Sequence, residues 1–283
     1  MADGLAVPQT AKEILAEPGA PVVVFDRVQL AFDEKVILHD VSFTLIKGHT
    51  KIILGASGAG KSITLKLLLG LLRADSGVVW VNGQRVDELS EQELMPVRAD
   101  LGMIFQEGAL FDSLTVRENV GYKLYEETDM PLDDVDRRVE EVLGFIGLAE
   151  HIDKMPSALS GGQRRRVAIA RAMAFKPRIL LYDEATTGLD PITATTVDDE
   201  VIKLRDLEGV SSILVTHQLR DAFYVAKHMA MRDADGTVRV VPATPAKSNE
   251  TEFIMLKDGR ICFEGNVEEL QHSNDPYLKT FLS

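Results

Sequence analysis

The architecture of this chain can be inferred from one segment, Gly55-Ala56-Ser57-Gly58-Ala59-Gly60-Lys61-Ser62. It fits the pattern G-x-x-x-x-G-K-[ST], whose backbone N–H groups and lysine surround the phosphates of a nucleotide. Chance produces such a match on the order of once per hundred chains of this length and composition. The apolar stretch 51–54 before the loop predicts a strand, and the stretch 61–72 after it predicts a helix. The segment therefore predicts a phosphate-binding loop, in which Lys61 supplies charge and the Ser62 hydroxyl can bind Mg²⁺.

Composition limits the classes of protein to consider. The chain has 283 residues, of which 45% are apolar, enough for one large domain or two small ones. Its net charge of −13 argues against a nucleic-acid-binding surface, which needs a basic patch. No apolar run approaches the ~18 residues of a membrane span. The first 20 residues lack a secretory-signal pattern and predict a flexible tail.

The order of predicted elements indicates an α/β fold. Strands are expected at 22–25, 36–45, 51–54, 78–81, 101–105, 179–182 and 212–215, and helical periodicity dominates residues 107–176. This alternation predicts a parallel sheet interrupted by a helical subdomain, within one domain covering 21–283. The polar segment 233–252 predicts a long surface hairpin or a partly disordered loop. The only cysteine, Cys262, excludes an intrachain disulfide, and its apolar neighbours predict a buried strand position.

Two adjacent acids follow the apolar strand 179–182. They are Asp183 and Glu184, and a solvated strand end is the simplest explanation for them. Beside a phosphate loop, however, Asp183 would hold Mg²⁺ through water, and Glu184 would polarise an attacking water as general base. His217 ends the next strand, and Gln106 ends the strand near 101–105. Taken alone, a histidine is more often structural than catalytic, and a glutamine there is uninformative.

A second glycine-containing segment surrounds Ser160, which lies 98 positions after Ser62. It reads Leu159, then Ser160-Gly161-Gly162-Gln163, and it precedes an amphipathic helix. An ordinary N-cap explains the serine. The same serine hydroxyl, free glycine amides and helix dipole would also form an anion site. The following run, Arg164 to Arg166, is interpreted as a solvated helix face.

Together these segments resemble the ATP-binding cassette (ABC) ATPases over about residues 22–265. The resemblance rests on the phosphate loop, the Ser160 segment, the strand ending in Asp183 and Glu184, Gln106, His217, and Gly188-Leu189-Asp190. It implies a P-loop NTPase of ABC-cassette fold: a mixed sheet core, an antiparallel β subdomain and an inserted α-helical subdomain. It also implies ATP and Mg²⁺ as ligands and ATP hydrolysis as the activity.

The resemblance assigns roles to residues that their chemistry alone leaves open. Gln106 would contact Mg²⁺ and link the site to a membrane partner. His217 would contact the γ-phosphate and the attacking water. Ser160 to Gln163 would face the γ-phosphate held by a second protomer, Asp190 would reach across the same dimer, and Phe32 would stack on adenine.

Within the family, three segments resemble the Mla/Mce-type lipid-transport ATPases. They are residues 108–120, Asp190-Pro191-Ile192-Thr193, and 275–282. This closer resemblance implies a homodimer joined through its ATP sites, an integral-membrane permease, an MCE-domain lipid-binding protein, and a place on the cytoplasmic face of the inner membrane. No nucleic acid is expected as a partner.

Departures from the family pattern include Ala185 where proline is usual, Ile63, Phe32 and the 233–252 segment. None removes a reacting group. A small-solute importer, for example of amino acids, is the nearest alternative function. A soluble ABC ATPase acting on ribosomes or DNA, and a binding module without turnover, fit the sequence less well.

Overall fold

The computed structural model describes residues 21–282, so the tail expected at 1–20 lies outside the described residues. The strands are β1 (Pro21–Phe32), β2 (Lys35–Ile46), β3 (Thr50–Gly55), β4 (Ser76–Val81), β5 (Gln84–Arg85), β6 (Leu101–Ile104), β7 (Ile179–Asp183), β8 (Ser211–Thr216), β9 (His228–Arg232), β10 (Val238–Pro242), β11 (Thr251–Lys257) and β12 (Arg260–Gly265). The helices are α1 (Lys61–Leu68), α2 (Glu91–Ala99), α3 (Val116–Glu127), α4 (Leu132–Phe145), α5 (Gly161–Ala174), α6 (Pro191–Leu207), α7 (Leu219–Lys227), α8 (Pro245–Ser248), α9 (Val267–Gln271) and α10 (Pro276–Leu282).

The largest sheet has the strand order β12-β11-β3-β8-β7-β6. Strands β11, β3, β8, β7 and β6 run parallel, and β12 returns antiparallel to β11. Every residue of β3 and β8 is buried, as expected for central strands covered on both faces. Because parallel strands end at the same edge, the segments that follow β3, β7 and β8 meet there.

Side chains of β3 alternate between two hydrophobic cores. Ile52 and Leu54 pack in the core shared with α3 to α7, whereas Ile53 packs with α1 and the antiparallel sheet. This alternation follows from the two-residue period of a strand. The two cores therefore fix β3 from both faces of the sheet, and with it the start of the loop that follows β3.

The second sheet is antiparallel, with the order β2-β1-β4-β5. Its β1–β2 hairpin turns at Asp33, which has a positive φ of 52°. Phe25 and Phe43 stack across this hairpin with ring centroids 4.5 Å apart. Residues of this sheet and of α1 share one core, so the sheet supports the back of the phosphate loop.

A block of helices occupies the stretch in which helical periodicity was predicted. It contains α3, α4 and α5, with short 3-10 turns at Ala149–His151 and Pro156–Ala158. Helix α4 buries Val135, Val139, Val142 and Leu143, the amphipathic face visible in the sequence. Helices α3 and α5 each begin with a capping box, formed by Thr115 with Glu118 and by Ser160 with Gln163.

The polar segment 233–252 is ordered as a hairpin, one of the two alternatives considered. Strands β9 and β10 pair antiparallel and are followed by the short helix α8. The buried guanidinium of Arg205 donates hydrogen bonds to the His228 carbonyl and the Asp206 carboxylate. Lys247 of α8 lies 3.0 Å from Asp206. These contacts anchor the hairpin to α6.

Three local expectations differ from the structure. Helix α1 ends at Leu68 instead of continuing to residue 72, because Gly70 takes a left-handed conformation (φ 63°). Strand β6 ends at Ile104, one residue early. Cys262 is exposed and not buried, because β12 is an edge strand with one face toward solvent. None of the helices within residues 21–282 is long and apolar enough to cross a membrane.

Candidate nucleotide-binding site

The glycine loop follows β3 at the carboxyl edge of the largest sheet. Gly58 has a φ of 80°, and a Cβ built there would have no heavy atom within 4 Å, so its backbone faces open space. Gly60 has a φ of 99°, and a Cβ there would lie 2.8 Å from Leu38 Cδ2. Only glycine satisfies both the conformation and the close approach at position 60. Ala56, Ser57 and Gly58 are exposed, which leaves the crest of the loop accessible.

Lys61 lies under this crest and is only 5% exposed. Its ammonium group donates hydrogen bonds to the carbonyls of Gly55 (3.0 Å) and Ala56 (3.2 Å). It also lies 3.5 Å from Glu184 Oε1. The loop's own carbonyl groups thus hold the buried ammonium group of Lys61 beside the exposed backbone that follows β3.

Ser62 and Asp183 bring the end of the loop to the end of β7. The Ser62 hydroxyl donates to Asp183 Oδ1 at 2.7 Å. Burial raises the pKa of Asp183, and the hydrogen bond from Ser62 offsets this only in part. A hydroxyl and a carboxylate at one point are oxygen ligands of the type that Mg²⁺ prefers. The donor set fits the ion, and Ser62 and Asp183 would hold it.

Glu184 occupies a strained position directly after β7. Its φ of 50° is left-handed, which is uncommon for a residue with a side chain, and its N–H donates to the Val215 carbonyl. The carboxylate accepts a hydrogen bond from the Thr187 hydroxyl (3.2 Å). Its second neighbour is His217, whose Nδ1 lies 3.1 Å from Oε2.

The protonation of Glu184 follows from these neighbours. Burial alone would raise its pKa, but the hydrogen bond and charge of His217, followed by the charge of Lys61, lower it more. The net pKa of Glu184 therefore lies below its ordinary value, and the group is a carboxylate at neutral pH. His217 itself is half exposed, with 46% of its side chain accessible, so it can contact both Glu184 and a ligand.

The Ser160 segment is organised differently. Ser160 is the exposed N-cap of α5, and its hydroxyl accepts from the Gln163 N–H at 3.3 Å. In return, the Ser160 N–H donates to Gln163 Oε1 at 2.8 Å, and Gln163 Nε2 contacts His151 Nε2. Gly162 lies so close to α6 that a Cβ would be 2.1 Å from Thr193 Cγ2. Within residues 21–282, no hydrogen bond joins this segment to the glycine loop.

The remaining predicted residues lie near the same edge without contacting the central cluster. Asp190 is the exposed N-cap of α6, and its Oδ1 accepts from the N–H groups of Ile192 and Thr193, both at 3.1 Å. Gln106 is exposed two residues beyond β6, the strand paired with β7. Phe32 is 45% exposed at the end of β1. Their contacts with a nucleotide stay predictions.

One functional neighbour was missed in the sequence. Arg165 was interpreted with Arg164 and Arg166 as part of a solvated face, and this was wrong. Its side chain is 8% exposed and donates to the carbonyl of Ala185 (3.0 Å), the residue that follows Glu184. Arg164 and Arg166 also donate to backbone carbonyls. The one sequence signal for the burial of Arg165 is the helical period, because it places this residue on the same helix face as Ala168 and Ile169.

Comparison with protein families gives one match. A family model described as "ABC transporter" matches residues 38–187, slightly more than half of the chain. The matched segment begins within β2 and contains the glycine loop, the Ser160 segment, Asp183 and Glu184.

Two curated proteins represent the relatives of this chain. The methionine import ATP-binding protein MetN of Bifidobacterium longum is 40% identical over 274 residues, covering 93% of this chain and 68% of that protein. Trigalactosyldiacylglycerol 3, a chloroplast protein of Arabidopsis thaliana, is 35% identical over 273 residues, covering 90% of this chain and 72% of that protein. Further methionine import ATP-binding proteins match at 36–42% identity.

A solved structure gives the same fold. The ATP-binding cassette MJ0796, determined as a dimer in a post-hydrolysis state with ADP and phosphate, superposes with a TM-score of 0.70 at 29% identity. The superposition covers 87% of this chain and 98% of that one. The ABC-cassette fold predicted from the sequence is therefore confirmed.

Proposed function

Because the chain belongs to the ABC transporter family, as an ATP-hydrolysing subunit, we propose that it drives the import of a small solute of the amino-acid class through a separate membrane permease. The observation that carries the ATP-hydrolysing part of the proposal is the cluster of Lys61, Glu184 and His217 at the edge of the sheet, with contacts of 3.5 Å and 3.1 Å. A cassette that only bound nucleotide would not need this carboxylate.

Each residue of the cluster has a role set by its chemistry. The exposed backbone of the glycine loop and the Lys61 ammonium neutralise phosphate charge. Glu184, ionised because its pKa is lowered, accepts a proton from the attacking water. His217 would orient Glu184, which it contacts at 3.1 Å, and would donate to a phosphate oxygen. Mg²⁺, when held by Ser62 and Asp183, would supply further neutralisation of phosphate charge.

The second half of the site is proposed to come from another copy of this chain. Ser160 is exposed at a helix N-terminus, Gly161 beside it is half-buried, and the first turn of this helix contains no acidic residue. An ATP held by the glycine loop of one protomer would fill that position in its partner. The dimeric state of MJ0796 supports this arrangement.

The permease is proposed to dock beside Gln106. Three exposed aromatic side chains, Phe105, Phe111 and Tyr122, lie on the surface there at 43%, 44% and 40% exposure. Together with Arg171 and Phe175 they line a groove of about 360 Å³. Exposed aromatic side chains around a groove are typical of protein interaction sites. Such docking would place the chain on the cytoplasmic face of the membrane.

Methionine or a related amino acid is the proposed cargo. The support is the set of relatives named for methionine import, which reach 40% identity over nearly the whole chain. These relatives favour an amino-acid importer over the lipid transporter expected from residues 108–120. The cassette does not contact the cargo, so the proposal rests on relatedness and not on a pocket.

A second candidate is lipid transport, together with an MCE-domain partner. The specific observation is the relative Trigalactosyldiacylglycerol 3, whose name is that of a galactolipid and which aligns with 90% of this chain at 35% identity. The resemblance of residues 108–120 to lipid-transport ATPases points the same way.

Deletion of the gene, with complementation, tests the two candidates. The deletion strain would carry either the wild-type gene or the Glu184→Gln variant, and both labelled-methionine uptake and envelope lipid composition would be measured. Loss of uptake restored only by the wild type supports the import proposal. If methionine uptake is unchanged in the deletion strain and the envelope lipids are altered, lipid transport is the better proposal. A detergent pull-down that recovers no integral membrane protein would count against both.

A further inference from the structure

Behind Glu184 and His217 lies a small cavity between two helices and two strands. It measures about 20 Å³ and is lined by side chains of α6, α7, β7 and β8. Tyr182, Ala185 and Thr216 line it, so it touches the residues that precede or follow the acids and the histidine. Two carboxyl groups also line it: Asp198 from α6 and Asp221 from the first turn of α7.

Both carboxyl groups are almost fully buried. Asp198 is 2% exposed and Asp221 is 3% exposed. Asp198 Oδ2 and both carboxyl oxygens of Asp221 have no hydrogen-bond partner. Burying an ionised carboxylate without partners is costly, and two ionised carboxylates in one cavity also repel each other. A single proton on one of the two groups removes most of both costs.

The surroundings place this proton on Asp198. Asp221 has a cation beside it, because Arg220 Nη1 lies 3.7 Å from Asp221 Oδ1. Among residues 21–282, Asp198 has no cationic side chain within salt-bridge distance. Burial, and then the charge of Asp221, raise the pKa of Asp198 to about 8. The other titratable groups near the pair are Tyr182 on β7, Asp199 and Glu200 on α6, and Tyr224 on α7.

We propose that Asp198 is protonated at neutral pH, and that its neutral form lets α6 pack against α7 so that the two helices position Asp190 and His217. Asp190 caps α6, and α7 begins two residues after His217. Arg220 strengthens the link, because it donates to the Pro191 carbonyl at 2.7 Å. A shift between the two helices would therefore move both functional residues. Asp198 and Asp221 are positioning residues and do not touch a ligand.

The proposal predicts a loss of function at alkaline pH. When Asp198 ionises, its charge lies in a buried cavity where Asp198 Oδ2 has no hydrogen-bond partner, and α6 and α7 separate. The folded chain keeps a proton that the unfolded chain releases near the ordinary aspartate pKa. Stability therefore decreases as pH rises from about 4 to about 8 and levels off above the folded-state pKa.

The Asp198→Asn variant tests this in the full-length chain. Asparagine copies the neutral acid and cannot ionise, so ATPase activity at pH 7 should stay within about twofold of the wild type. The wild type should lose activity between pH 7.5 and 9 while Asp198→Asn does not, and between about pH 4 and pH 8 the melting temperature should fall more steeply in the wild type than in Asp198→Asn. Glu208→Gln, which changes an exposed carboxylate at the end of the same helix, is the control and should behave as wild type.

A second readout does not depend on hydrolysis. Infrared difference spectra between pH 6 and pH 9 should show a protonated-carboxyl C=O band lost from the wild type and absent from Asp198→Asn. If Asp198→Asn fails to fold, Asp221→Asn is the second variant: it removes one cause of the raised Asp198 pKa, so the protonated-carboxyl band should be lost at a lower pH than in the wild type. An identical alkaline decline in both proteins, or no such band in the wild type, overturns the proposal. The inference rests on the ATPase activity. The infrared band reports the protonation of Asp198 directly, so it is expected whichever cargo the transporter carries.

Discussion

The two halves of the nucleotide site differ in how their side chains are held. Around Lys61, residues from the loop, β7 and β8 contact one another: Ser62 bonds Asp183, and Lys61 and His217 both contact Glu184. Around Ser160, the polar groups bond only within their own segment or to its immediate surroundings. Ser160 and Asp190 each cap the helix that they begin.

This difference has a structural cause. The first half is built from the ends of parallel strands, and the register of β3, β8 and β7 brings separate parts of the chain together. The second half is built from helix N-termini that face solvent, so its donors satisfy themselves locally in the isolated chain. The first half of the site is thus complete within one chain. The second half can bind a ligand held by a partner protomer only if its capping hydrogen bonds are broken.

The largest expected effect is in the first half. Glu184→Gln keeps the shape of the side chain but removes the base, so kcat should fall by about 10²- to 10⁴-fold while ATP binding is retained. Steady-state ATPase assays and nucleotide binding by fluorescence measure the two effects separately. Glu208→Gln serves as control. Full activity in Glu184→Gln would show that another group accepts the proton.

Packing in the second half can be tested with a pair of glycines. Gly162→Ala places a Cβ 2.1 Å from Thr193 Cγ2 and should destabilise the chain by about 1–3 kcal/mol. Gly144→Ala, in α4 with open space around it, should instead stabilise by about 0.5–1 kcal/mol. Urea unfolding measures both.

The double variant Gly162→Ala/Thr193→Ser removes the clashing methyl group and should recover most of the lost stability. If the double variant is no more stable than the single one, the close contact between α5 and α6 is not the cause.

Ser160 and Thr115 allow the capping role to be separated from the functional one. Each forms a capping box at the start of a helix in the same block. Both alanine variants should therefore lose about 1 kcal/mol of stability. Only Ser160→Ala should also lower ATPase activity and ATP-dependent dimerisation, measured by light scattering. Equal losses of activity in the two variants would mean that Ser160 acts as a cap alone.

The smallest effect is a shift in pH dependence. Thr187 donates to Glu184 Oε2 at 3.2 Å and helps to keep the pKa of Glu184 low. Thr187→Val should raise that pKa, so the acid limb of the kcat profile should move upward by less than about 1 pH unit. Thr196→Val, which removes a hydroxyl bonded to the Ile192 carbonyl, should leave the limb in place. A downward shift in Thr187→Val would contradict the assignment.

Much of the fold, and of the half of the nucleotide site around Lys61, could be predicted because local sequence patterns determine them. The apolar strand, glycine loop and helix around Gly55 to Ser62 form as expected, and the two acids lie at the end of β7. Contacts between distant segments could not be predicted in this way. Arg165 looked solvated because its partner, the Ala185 carbonyl, is 20 positions away. The proximity of Asp198 and Asp221 depends on how α6 packs against α7, for which no local pattern gives a signal.

The position of β3 in its sheet has a consequence for how the protein is made. Its neighbours are β8 and β11, and Gly55 pairs with Leu256, about 200 positions later in the chain. On the ribosome the glycine loop emerges early but cannot take its final shape until both strands have been synthesised. Pairings this distant slow folding and leave strand edges exposed in the meantime. Nucleotide can therefore stabilise the loop only after β8 and β11 have been synthesised and paired with β3.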